Sequence, residues 1–180
     1  MKALQSVLLA LLIPFALNAK DRMPETSDLG ELRLEKLGEH RFVYAMLFKL
    51  YDAALYVPAE ATADDVLQAE TTFELRFSYL RTIKKDIVLR SASRMLEKNL
   101  NPEEQQQIAE RVAQINECYR TVSKGDSSAL VYEPEVGTSF VLNGERKITI
   151  PGQDFARLYF TIWLGEQPAS VSLRDDLLGR

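Results

Sequence analysis

Five residues of one parity, Phe73, Leu75, Phe77, Tyr79 and Arg81, form the clearest chemical pattern in this 180-residue chain. Alternate side chains of a strand share a face, so an apolar wall here would end in a phenol and a guanidinium. A planar guanidinium pairs with a carboxylate through two parallel bonds, and a phenol donates a third. Such a face suits an amphipathic acid, with a greasy wall for the tail and a cation for the head. If the strand stops before Arg81, the guanidinium is simply solvated, and both readings stand.

Other chemistries lack their residues. One histidine, His40, and one cysteine, Cys118, leave no cluster with zinc-ligand spacing. A Ser-His-Asp or Cys-His arrangement would have to be built on His40, which reads as a solvated turn residue after Gly38. Cys118 sits beside Ile115 and Tyr119 in an amphipathic stretch and reads as a small buried hydrophobe. No Gly-rich loop follows a strand and opens a helix, so neither a nucleotide nor any other cofactor is expected.

The elements that must position these groups are legible in outline. Residues 32–38 alternate and suggest a strand ending at Gly38. Arg41 to Val57 is apolar on both parities, as in a strand covered on both faces, with a bulge or break near Lys49 to Asp52. A short helix is expected over 62–68, then the strand 73–79, then a helix over 83–100. Asn101-Pro102-Glu103-Glu104 restarts a helix with a cap, a first-turn proline and a returning carboxylate, and Lys124-Gly125 ends it. Strands at 129–132, 138–142 and 146–150 follow, the last two joined by an Asn143-Gly144 turn. A helix over 154–164 and a final one from Ser170 or Ser172 complete an α+β domain, with helices packed on one face of a mainly antiparallel sheet.

Lys2 followed by the apolar run Val7 to Leu17 and the small-residue site Leu17-Asn18-Ala19 reads as an export signal over 1–19. The run is about half the length a bilayer span requires, so no transmembrane segment is expected once it is removed. Residues 20–30, with Pro24, read as a flexible lead-in, and 31–180 as one domain. Loss of Lys2, with no acid, takes the net charge from −4 to −5. The basic residues are scattered, so nucleic acid is not an expected partner. Protein partners are not indicated.

Three stretches together resemble the chalcone-isomerase-like family, in particular its exported bacterial branch: Phe48-Lys49-Leu50-Tyr51-Asp52-Ala53-Ala54-Leu55-Tyr56-Val57, Phe77-Ser78-Tyr79-Leu80-Arg81-Thr82-Ile83, and the region from Pro134 onward with Gly137-Thr138, Asn143-Gly144, Ile162-Trp163-Leu164-Gly165 and Leu177-Leu178-Gly179. The resemblance implies an open-faced β-sandwich, with a cleft between sheet and helices for an apolar ligand. It further implies either an enzyme that cyclises chalcones or a non-catalytic relative, some of which bind fatty acids through an arginine and a tyrosine. The enzymes' helix-start tyrosine and asparagine are not matched in Lys84 to Ser91, so no catalytic residue is assigned. Tyr51 replaces a strand threonine of the enzymes, Arg41 is the nearest counterpart of their strand arginine, and Ser170 matches a serine or threonine before the last helix, where an N-cap explains it equally well. The expected ligand-binding set is therefore Arg81, Tyr79, Tyr51, Arg41 and Ser170. The expected function is a non-catalytic periplasmic binding protein for a fatty acid or similar apolar carboxylate. An isomerase or intramolecular lyase, and a ligand-free envelope interaction module, are the alternatives.

Overall fold

A computed structural model describes residues 23–180; the export signal expected over 1–19 lies outside them. Seven strands form one sheet in chain order, and every neighbouring pair is antiparallel. They are β1 (Thr26–Leu29), β2 (Leu32–Tyr44), β3 (Phe48–Val57), β4 (Phe73–Tyr79), β5 (Ser127–Glu133), β6 (Gly137–Leu142) and β7 (Glu145–Ile150). Six helices, α1 (Ala63–Leu67), α2 (Lys85–Asn99), α3 (Pro102–Cys118), α4 (Gln153–Tyr159), α5 (Thr161–Leu164) and α6 (Val171–Leu177), complete the described residues. This is the open-faced arrangement expected. None of these helices is long and apolar enough to cross a membrane.

Strand alternation divides the sheet chemically. Leu55, Phe73, Leu75, Leu130 and Phe140 point to the helices and are at most 2 % exposed. The opposite face carries Asp52, Glu74 and Arg76, joined to Ser27 and Arg41 by side-chain bonds. That face has its own small apolar cluster of Met23, Leu34, Ala54 and Tyr56. It explains why β3 is apolar on both parities: helices cover one side and the N-terminal segment covers part of the other.

The same cluster corrects the flexible lead-in. Within 20–30, Thr26–Leu29 is a paired edge strand, Met23 is buried, and Tyr56 Oη donates to Pro24 O at 2.9 Å. The strand boundaries near Gly38 also differ from expectation. β2 runs through Gly38, and the chain reverses at Ala45 to Leu47; the bulge expected within Lys49 to Asp52 falls at Leu50, which is skipped between the pairs Phe42–Tyr51 and Val43–Lys49. Gly38 is a close-approach residue, because a β-carbon there would overlap the backbone carbonyl of Asp176 at the end of α6. His40 consequently lies in a strand, with Nδ1 at 2.7 Å from Asp176 Oδ2, and not in a solvated turn.

Asn101 and Glu104 form the capping box, each bond 2.9 Å. Helix α3 ends at Cys118, short of Lys124, because Tyr119 turns extended and Val122 exchanges backbone bonds with Ile83 at 2.9 and 3.0 Å. Cys118 is half-buried at that end. The expected helix over 154–164 is two short ones meeting at Phe160.

Candidate functional site

A cavity of about 140 Å³ lies between the sheet and helices α2 and α5. Its floor follows from strand register. Tyr51 stands opposite Tyr79, and Phe77 opposite Ser128, so these side chains converge on the helix face at one end of the sheet. Its roof comes from helical spacing: Val88 and Ala92 lie four residues apart on the inner face of α2, and Ile162 and Trp163 reach in from α5. Ile87, 47 % exposed, lines the cavity at its rim.

The lining is aromatic and aliphatic, with a few hydroxyls. Tyr51 stacks on Phe42 at 5.1 Å and meets Phe77 edge-on at 5.4 Å. Tyr79 Oη is 2.8 Å from Ser128 Oγ, and Tyr119 Oη is 3.1 Å from Tyr159 Oη. The Tyr51 hydroxyl has no hydrogen-bond partner within the protein among the described residues. Burial raises the pKa of Tyr51, Tyr79 and Tyr119, and that of Tyr159 to about 12. All four phenols therefore stay neutral at physiological pH and keep their protons for hydrogen bonding instead of acting as bases.

Of the five expected ligand-binding residues, Tyr51 and Tyr79 line the cavity. The other three are placed elsewhere. β4 ends at Tyr79, so the parity argument stops there. Arg81 lies past the strand, exposed, with its guanidinium 4.8 Å from the Phe48 ring centroid. Arg41 has the parity opposite to Phe42 and points to the other face, where Nε and Nη2 meet Asp52 at 2.6 and 2.8 Å. Ser170 caps α6, accepting from Leu173 N at 3.3 Å, while its neighbour Ala169 is the one that lines the cavity. Trp163 packs on Phe77 at 5.6 Å and also lines the cavity. Phe42 and Tyr119 are lining residues that the sequence reading missed. The apolar parity of Phe42 with Tyr44 and Phe48 was visible, but the face it served depended on where the hairpin turned.

The family described as chalcone isomerase-like matches this chain over residues 21–179. A crystal structure of a fatty-acid binding protein from Arabidopsis thaliana superposes with a TM-score of 0.64 at 14% identity, covering 87% of this chain and 91% of that one. The two share a fold. No curated protein sequence matches.

Proposed function

The chain belongs to the chalcone isomerase-like family, and on that premise we propose that it is a non-catalytic periplasmic protein that binds a fatty acid or similar apolar carboxylate in the sheet–helix cavity. The observation that carries this reading is an aromatic-lined hollow with one phenol, Tyr51, left without a protein partner. An unpartnered donor at an apolar site is a place for a ligand acceptor. The structural neighbour's own description as a fatty-acid binding protein supports the choice of ligand class.

Size and charge set the pose. A hollow of about 140 Å³ is close to the roughly 150 Å³ apolar cavity that admits benzene. It therefore takes a ring or a short stretch of chain, and a longer tail continues past Ile87. Among the described residues no cation lines it, and an unpaired carboxylate inside would be strongly disfavoured. The tail goes in and the head stays at the rim, where the Tyr51 hydroxyl donates and Arg81, swung off Phe48, supplies positive charge.

Trp163 is the single tryptophan and lines the cavity, so its fluorescence reports occupancy. Titration with octanoate should change the emission saturably. Ala92→Phe, which fills the roof, should weaken that response by at least about tenfold while the unfolding midpoint is kept. An identical response from both proteins, or no saturable response from either, would sink the reading. Recovery of the protein in the osmotic-shock fraction of the native host tests the compartment.

A further inference from the structure

The tip of the β2–β3 hairpin is apolar and uncovered. Tyr44 is 63 % exposed, Met46 93 % and Leu47 79 %, with Val43 and Phe48 also exposed on either side. Five large apolar side chains within six consecutive residues form a contiguous patch of the kind that marks an interaction surface. They belong neither to the core nor to the cavity lining.

Cations ring the base of this tip. Lys49, Arg81 and Lys124 line a shallow hollow together with Leu47 and Leu80. Among the described residues none of the three has a carboxylate within ion-pair distance. Arg41 lines the same hollow, but its charge is matched by Asp52. The other nearby acid, Asp126, is held by Ser123 N and the Asn143 amide. A chain of net charge −4 thus gathers uncompensated positive charge directly beneath its most exposed apolar side chains.

We propose that this hairpin tip docks on an anionic bilayer surface, with Met46 and Leu47 entering the acyl boundary and the cations meeting lipid phosphates. The vertical order, apolar at the apex and basic at the base, is that of interfacial insertion elements. The same order disfavours a second copy as the occupant, because a tip-to-tip contact would set like charges against each other with no acid to answer them. This docking does not depend on the cavity holding a ligand. It brings the cavity rim at Phe42 and Leu50 towards the bilayer, since both flank the hairpin.

Co-sedimentation of the full chain with vesicles tests the proposal, comparing phosphatidylcholine alone with a phosphatidylcholine–phosphatidylglycerol mixture. Wild type should partition onto the mixed vesicles and lose that binding as salt is raised. Met46→Glu/Leu47→Glu should weaken partitioning by at least about tenfold, because the inserted surface is gone. Lys49→Glu/Lys124→Glu should remove the preference for the anionic lipid, on the order of thirtyfold for two cations. All four positions are exposed, so unchanged unfolding midpoints are expected and checked. Residues 1–22 are common to every variant, so any difference belongs to the tip. Equal partitioning of wild type and Met46→Glu/Leu47→Glu would overturn the proposal. So would absence of wild-type binding to mixed vesicles at low salt, or a concentration-dependent dimer that Met46→Glu/Leu47→Glu abolishes in a protein that binds no vesicle.

Discussion

Two hairpins turn at the same end of the sheet, and they do so by different means. Between β6 and β7, Asn143 and Gly144 take φ of 51° and 80°, a region these residue types occupy at little cost. Asn143 also stitches the turn to its surroundings, accepting from Ser127 N and donating to Asp126 Oδ1, each at 2.8 Å. Between β2 and β3, positive φ falls on Ala45 and Met46, at 49° and 58°, with no glycine and one turn bond from Leu47 N to Tyr44 O at 3.3 Å. Left-handed backbone at such residues costs roughly 1–2 kcal/mol each. The first turn is chemically suited to reversing the chain. The second is not, so its residues serve their side chains more than their backbone.

The comparison breaks most readily at Gly144. A β-carbon there meets nothing within 4 Å, so Gly144→Ala isolates the conformational cost. It should lower unfolding stability by about 1–2 kcal/mol in urea titrations. A neutral result would mean that the β6–β7 turn gains nothing from its glycine. The converse exchange, Ala45→Asn/Met46→Gly, should raise stability by about 0.5–1 kcal/mol, since relief of left-handed strain exceeds the added entropy of the unfolded glycine. The octanoate response should be unchanged in that variant, because neither residue lines the cavity. Loss of stability instead would show that Ala45 and Met46 make contacts in solution that their exposure conceals.

The same contrast explains what was readable in the sequence. Strand β4 could be read to the residue, because Phe73, Leu75, Phe77 and Tyr79 alternate cleanly with polar neighbours. The Asn101 capping box and the Asn143-Gly144 turn carry their geometry in their side chains. The β2–β3 turn carries none: Ala45-Met46-Leu47 has no glycine, proline, asparagine or aspartate, so two strands merged into one apolar run. Gly38 was mistaken for a strand end because its true constraint, the α6 backbone lying against it, comes from nearly 140 residues downstream. Three of the five expected ligand-binding residues lie off the cavity, two of them for the same kind of reason. Parity counted through Arg81 holds only while the strand lasts, and Arg41 could not be given a face until the hairpin was located. Tyr51 and Tyr79, inside regular strands, were placed correctly on the cavity.

The smallest effect concerns the acid that holds the well-suited turn together. Asp126 Oδ2 accepts from Ser123 N and Oδ1 from the Asn143 amide, each at 2.8 Å, and these bonds lower its pKa from the ordinary carboxylate value, with Arg120 adding to the shift. A carboxylate whose folded pKa is depressed contributes stability that is fully present above its unfolded pKa, about 3.9, and that is lost as pH falls through the folded value. The acid limb of the unfolding midpoint should therefore begin near pH 4 and steepen below it. Asp126→Asn removes one of the carboxylates with a lowered pKa, so that limb should become slightly shallower, Asp65, Glu145 and Asp154 supplying the rest, while the midpoint at neutral pH falls slightly. The β2–β3 hairpin has no bonded acid at its tip, so replacing Met46 or Leu47 by a neutral polar residue should leave the acid limb unchanged. If both sets of variants moved it alike, the electrostatic difference between the two turns would be refuted.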